Sequence, residues 1–136
     1  MPDLETTRRL LSAARRDLQS IGNMLDREKF PDETFGLLAQ QAEEKCLKAW
    51  LAARDQPVPR THNLRLLIIL LEQTGVVVPQ EWHMLELTAF AVQFRYDACD
   101  TMDEPLNRPM ILQHITELFS NVTVLLDTLA ESSNPG

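Results

Sequence analysis

The chain has 136 residues and a formal net charge of −7, and 44% of its residues are apolar. This length predicts one domain with a substantial core, and the acidic balance argues against broad, non-specific binding of nucleic acids, DNA included. The charge is uneven, because residues 66–136 contain two Lys or Arg against ten Asp or Glu. Glycine, which tight hairpins need, occurs four times, and this scarcity favours an all-α protein.

The first two predicted helices have apolar residues at three- and four-residue spacing. The first covers residues 3–28, with Asp3 as its N-cap. Its core stripe comprises Leu4, Thr7, Leu11, Ala14, Leu18, Ile21 and Leu25. Pro31 ends this segment, and Asp32 is placed to cap a second helix over residues 33–54, which a proline-rich stretch stops.

The remaining elements follow at short intervals. A shorter helix covers residues 62–74, with Gly75 as its stop, and Val76–Val78 forms an apolar linker. Two further helices cover residues 80–94 and 106–130, separated by a segment without periodicity. We therefore predict an antiparallel up-and-down bundle of about five helices, four long and one short, as a single domain over residues 1–131 with a frayed tail at 132–136.

The first and last predicted helices carry wide apolar stripes, so we expect a homodimer. The sequence has no N-terminal signal pattern and no apolar run long enough to span a membrane, which predicts a cytoplasmic protein. Cys46 and Cys99 lie far apart, and no cysteine or histidine has metal-ligand spacing. We interpret both cysteines as reduced thiols and expect neither a metal nor a cofactor.

Two groups of residues near the middle of the chain are candidates for ligand binding. Glu44 precedes Lys48 by one helical turn, the favourable orientation for an ion pair, and the structural alternative to a ligand site is a solvated surface pair. His62 follows the proline-rich break, where Thr61 or Asn63 can cap the next helix. The alternatives for His62 are a plain capping turn and a ligand-binding histidine at a helix N-terminus.

Charged residues at three other places are open to two interpretations. Arg95 and Tyr96 could anchor a nucleotide or an RNA backbone, or could pair and pack structurally. A basic strip on the first helix could hold phosphates, could be solvated, or could pair with the acidic second half of the chain; it consists of Arg8, Arg9, Arg15 and Arg16. An acidic run has oxygens enough for a hard metal but lacks the spacing of a calcium loop, and we interpret it as a solvated loop; it consists of Asp97, Asp100, Asp103 and Glu104.

In their order along the chain, these features resemble the HEPN domain family. The resemblance is carried by AQQAEEKCLKAWLAARDQPVPRTHNLRLLI at residues 39–68 and FRYD at residues 94–97, with ARRDL at residues 14–18 similar to the family's first helix. Family members typically show an A-E-K-x-x-K-A helix, a p-x-x-T-H-x-L turn and a late R-Y/F position. The family occurs in prokaryotic toxin–antitoxin and defence systems and beside minimal nucleotidyltransferases.

The resemblance implies a dimeric five-helix bundle with a nucleotide- or RNA-binding groove at the dimer interface. Many members are metal-independent ribonucleases with an arginine followed, after four to six residues, by a histidine. Residues 100–102 after Arg95 are Asp-Thr-Met, so this motif is not intact there. Arg108 and His114 have the literal spacing, which we interpret as coincidence; together with Arg95 they are weak catalytic candidates.

Three hypotheses follow from these residues and from the resemblance. The first is a binding subunit for nucleotide or RNA that partners a small nucleotidyltransferase in a toxin–antitoxin-like or defence system. Glu44, Lys48, His62, Arg95 and Tyr96 would form its ligand surface. The second is a metal-independent endoribonuclease toxin, and the third is a helix bundle that contacts only proteins.

Overall fold

A computed structural model describes residues 1–82 and 106–132 of the chain. Within them lie five helices: α1 (Leu4–Gly22), α2 (Asp32–Ala53), α3 (Leu64–Gln73), a short helical segment at residues 80–82 (α4), and α5 (Arg108–Ser132). The described part of the chain contains no strand, and its helices pack against one another. The predicted all-α bundle is thereby confirmed.

The first helix is shorter at its C-terminus than the sequence pattern predicts. Asp3 is the N-cap, as expected, and its carboxylate accepts the Thr6 N–H at 3.0 Å. The helix ends at Gly22, and the N–H of Asn23 turns back to carbonyls of the preceding turn. Gly and Asn are both poor helix formers. Leu25 therefore lies beyond α1 and is 44% exposed, so its predicted place in the core stripe is wrong.

The second helix begins with Asp32 inside it, so the prediction that Asp32 is its cap is wrong. Pro31 occupies the N-cap position and makes no side-chain capping bond. The carboxylate of Asp32 instead receives the Arg108 guanidinium, at 2.9 Å. At the other end, Asp55 takes a left-handed conformation (φ 61°) and the Gln56 N–H bonds back to the helix, the arrangement of a Schellman motif.

The third helix begins two residues later than predicted. Of the two residues that could cap it, Asn63 does so, since its side chain accepts the Leu66 N–H at 3.2 Å. His62 therefore lies before the helix and not in its first turn. The helix is followed by Gly75 at φ 98°, a left-handed conformation that glycine adopts without strain.

Contacts between α1 and α2 show that these two helices run antiparallel. The Asp3 N–H bonds to the Ala52 carbonyl near one end, and Lys45 meets Asp17 at 2.6 Å farther along. The first turn of α5 lies beside the α1–α2 connection, because Arg108 contacts it. Since the far end of α5 packs in the same core cluster as Leu11, α5 runs antiparallel to α1.

The core consists of two apolar clusters. The larger is built from α1, the second half of α2, α3, residues 78 and 82, and α5, and includes an edge-to-face contact between Trp50 and Trp82 with ring centroids 6.0 Å apart. The smaller lies around Phe35 near the α1–α2 connection. The predicted inward residues of α1 are largely confirmed: Thr7, Leu11, Ala14 and Ile21 are buried.

Within the described chain, α1 and α5, the helices expected to form the dimer, expose few large apolar side chains. None lies on α1, and Val124 is the one on α5. The wide stripes of these helices are mostly covered by packing inside the chain. The homodimer stays a prediction. No helix in residues 1–82 or 106–132 is both long enough and apolar enough to cross a bilayer.

Candidate functional site

Glu44 is the centre of a three-residue polar group on α2 and the loop before α3. Its Oε2 lies 3.0 Å from Lys48 Nζ, and its Oε1 lies 2.9 Å from His62 Nδ1. The structure therefore brings together three of the side chains that the sequence singled out. One carboxylate uses each of its oxygens for a different cationic or ionisable partner, which is the bridging geometry of a small charge network.

The three side chains differ sharply in exposure. Those of Glu44 and Lys48 are 11% and 12% exposed, whereas that of His62 is 89% exposed. The interpretation of Glu44 and Lys48 as a solvated surface pair is therefore wrong. Removing two charges from water has a free-energy cost that their attraction only partly offsets, so an apolar pair would serve packing as well or better. The group thus presents an open imidazole on a mostly buried ion pair.

Two contacts hold His62 in place. Its ring is fixed by Glu44, and its backbone carbonyl accepts a hydrogen bond from Gln40 Nε2 at 3.4 Å. Gln40 was missed by the sequence reasoning, although its position one turn before Glu44 was a usable signal. Asn63 then starts α3 immediately after His62.

The contact with Glu44 determines what the imidazole can offer to a ligand. A carboxylate only accepts hydrogen bonds, so Nδ1 of His62 must carry the proton in this contact. The neutral ring then presents Nε2 to solvent as an acceptor, and the protonated ring presents Nε2–H as a donor. With Lys48 adjacent to the same carboxylate, the protonated group has a net charge of +1, which suits an anionic ligand such as a phosphate.

Arg108, one of the weak catalytic candidates, is buried beneath the α1–α2 connection, with 2% of its side chain exposed. Its guanidinium donates to the carbonyl oxygens of Met24 and Phe30 and to the carboxylate of Asp32. It also stacks over the Phe35 ring, 5.0 Å from the centroid. These contacts occupy both terminal nitrogens of the guanidinium with protein acceptors and indicate a structural clamp, although the buried Nε has no hydrogen-bond partner in the described chain.

His114 lies on α5, six residues after Arg108. Six residues turn an α-helix by about 600°, which puts the two side chains about 120° apart around the axis. His114 is half-buried and has no hydrogen bond to Arg108. The structure does not bring this pair together as a site. Arg95, Tyr96, Cys99 and the acidic run lie outside the described residues, and their predicted roles stay predictions.

Two other features of the described chain offer less to a ligand. Burial raises the pKa of the Cys46 thiol, with nearby Glu43 and Asp17 adding to the effect, so this cysteine is not an activated nucleophile. A small apolar concavity is lined by Leu51, Gln56, Pro57, Pro59 and Leu70 and has no charged group to orient a ligand. Among residues 1–82 and 106–132, no three His, Cys, Asp or Glu side chains are grouped to hold a metal.

The described chain is a small all-α bundle in which the turn that carries His62 contacts the helix that carries Glu44 and Lys48. The sequence model of the HEPN domain family matches residues 7–124, and the chain belongs to this family. The match covers most of α1, all of α2 and α3, and most of α5, and thus includes Glu44, Lys48 and His62. No curated protein and no solved structure matches the chain.

Proposed function

We propose that the chain is a binding subunit that takes a nucleotide or RNA at the surface formed by Glu44, Lys48 and His62. The observation that carries this proposal is the exposed His62 ring, held at Nδ1 by a buried carboxylate. A side chain that is already fixed on one nitrogen and open on the other loses little conformational entropy when a ligand binds. Within the described residues His62 has no hydrogen bond at Nε2, so this nitrogen is open to a ligand.

Phosphate is the ligand group that this surface suits best. The protonated ring donates one charge-assisted hydrogen bond from Nε2, and the Lys48 ammonium adds a second positive charge nearby. Glu44 prevents the two cations from repelling each other and keeps the ring oriented. Arg95 and Tyr96 would extend the same surface, as the sequence predicts.

The partner in this proposal is a small nucleotidyltransferase, in a toxin–antitoxin-like or defence system. HEPN membership supports this expectation, although a fold family does not by itself determine function. Co-expression of the chain with a nucleotidyltransferase encoded beside it, followed by size-exclusion chromatography, tests this part. A shared peak of defined stoichiometry supports the partnership, and separate elution contradicts it.

The ligand surface is tested by calorimetric titration of the purified chain with ATP and with a short single-stranded RNA. We expect binding of at least one of them, and a loss of about tenfold or more in affinity for His62→Ala, because a hydrogen bond to a charged group contributes about 1.5–3 kcal/mol. The control is His114→Ala, the same substitution at a half-buried histidine on α5, and this variant should bind as the wild type does. Equal affinity of His62→Ala and wild type would overturn the assignment.

No contact in the described chain favours the ribonuclease alternative, since Arg108 is 2% exposed and its two terminal nitrogens donate to Met24, Phe30 and Asp32. This alternative is tested by RNA cleavage in EDTA with the wild type, Arg95→Ala and His114→Ala. We expect no cleavage by the folded wild type. Cleavage that disappears in both variants would replace the binding proposal with a metal-independent nuclease.

A further inference from the structure

We propose that one face of α1 binds the phosphodiester backbone of a nucleic acid. The face, here called the arginine face, consists of Arg8, Arg9, Arg15 and Arg16, all of them exposed. It goes beyond the proposed ligand surface, because it lies on a different helix and shares no residue with the Glu44 group. Its existence depends neither on His62 nor on a nucleotidyltransferase partner.

The arginine face has a regular geometry. Seven residues complete nearly two helical turns, so Arg15 lies about 20° from Arg8 around the axis and about 10 Å farther along it, and Arg16 stands in the same relation to Arg9. The two rows are about 100° apart. They flank Ser12, a small exposed residue, so long side chains on both sides can close on one extended ligand.

The four guanidiniums have no hydrogen bond or ion pair with any other part of the described chain. This distinguishes them from most of its other cations: Arg27, Lys45, Lys48, Arg54 and Arg108 each contact a named acceptor. Of the nearby acids, Asp17 is bonded to Lys45. Arg9 contributes to the lowered pKa of Asp3, after the hydrogen bonds from Thr6 that mainly cause it.

The composition of the face favours a phosphate backbone over a protein or a lipid surface. Protein interfaces have a core of buried apolar and aromatic side chains inside a polar rim, and helices that lie in membranes insert an apolar face. No large apolar side chain is exposed on α1, and the helix contains no aromatic residue. All four cations are arginines, whose planar fork matches phosphate oxygens. Without aromatic residues for stacking, the contact should be insensitive to base sequence.

The test is fluorescence anisotropy of the full chain with a short labelled single-stranded RNA, and with DNA of the same sequence, from about 50 to 200 mM salt. Each neutralised phosphate on a single strand contributes about −0.7 to the slope of log K against log salt concentration, so four contacts give a slope of about −2.8. We expect Arg8→Gln/Arg15→Gln to reduce the magnitude of the slope by about 1.4. The quadruple Arg→Gln variant should lose the whole contribution of about −2.8 to the slope, while binding at the Glu44 group is unaffected.

A control separates the arginine face from net charge. Ser120→Glu/Asn121→Glu changes the net charge by the same −2 on the exposed surface of α5 and should leave the slope unchanged. If the arginine variants lose slope with both RNA and DNA, the result supports a contact to the phosphodiester backbone alone. If they lose slope with RNA only, the result supports the arginine face and assigns RNA as its ligand. Binding by the quadruple variant with the wild-type slope, or no binding of either strand by the wild type, would overturn the proposal. His62→Ala should retain the slope, so failure of one proposal does not imply failure of the other.

Discussion

Two largely buried ion pairs of the described chain, Arg108–Asp32 and Glu44–Lys48, are built differently. Around Arg108, every assigned contact of the guanidinium goes to a protein acceptor or an aromatic ring, and the side chain is 2% exposed. Around Glu44, the carboxylate joins buried Lys48 to His62, whose ring extends into solvent. We call the Arg108–Asp32 pair closed, because the guanidinium contacts only protein groups, and the Glu44–Lys48 pair open, because it holds an exposed histidine ring.

This difference separates a structural charge from a candidate functional one. A buried cation that satisfies several backbone carbonyls replaces hydrogen bonds that those carbonyls would otherwise lack, so the fold depends on it. A buried pair that holds an exposed ring satisfies few other groups of the fold. Under the proposed function, the ligand that the ring would bind accounts for this desolvation cost.

The largest effect that we expect comes from breaking the closed pair. Arg108→Met should reduce the free energy of unfolding by about 3–5 kcal/mol, because it takes the guanidinium away from the mostly buried Asp32 carboxylate and removes donors from two carbonyls. Adding Asp32→Asn removes the carboxylate charge but leaves the Met24 and Phe30 carbonyls without their donors. The free energy of unfolding of the double variant should therefore remain about 2 kcal/mol or more below that of the wild type. Urea denaturation monitored by circular dichroism measures both values.

Arg15→Met is the matched control for this change. It replaces an exposed arginine without an assigned contact and should alter stability by no more than about 0.5 kcal/mol. A double variant at Arg108 and Asp32 that is as stable as the wild type would mean that the two carbonyls do not need the guanidinium. The distinction between closed and open pairs would then fail.

Sequence periodicity was sufficient for the helices but not for these charge contacts. Three-four spacing predicted α1, α2, α3 and α5 because an amphipathic helix needs only local information. The acceptors of Arg108 lie 76–84 residues away from it in sequence, so no local pattern could identify them. The burial of Glu44 and Lys48 likewise depends on neighbours that only the folded chain supplies.

Some errors came from weighing local signals wrongly. Apolar periodicity extends α1 to Leu25, whereas the poor helix formers Gly22 and Asn23 end it. The HEPN-like motifs placed Glu44 and His62 in the same candidate group, and the structure joins them at 2.9 Å. The turn motif did not reveal which nitrogen of the ring would be held, since that requires coordinates.

The open pair should respond differently from the closed one. Glu44→Gln/Lys48→Met replaces both charges with neutral side chains of similar size, and we expect stability within about 1 kcal/mol of the wild type. Lys48→Met alone leaves Glu44 with only the exposed ring and should cost more than the double change. A loss of about 2 kcal/mol or more in the double variant, by the same urea measurement, would assign this pair to the structure of the fold and weaken its role as a ligand surface.

Asp3 supplies the smallest effect, and it shows how an exposed charge differs from both pairs. Hydrogen bonds from the backbone and side chain of Thr6 lower its pKa from 3.8. Because the folded pKa is below the unfolded one, the stabilisation is fully present above about pH 4 and is lost as the pH falls through the folded pKa.

Asp3→Asn keeps a capping acceptor but has no titrating charge. The difference in urea midpoint between the wild type and Asp3→Asn should therefore change below about pH 4, whereas the difference between Asp3→Asn and Asp3→Ala should not. A wild-type-to-Asn difference that is constant down to about pH 3 would show that the cap acts through hydrogen bonding alone, without the charge.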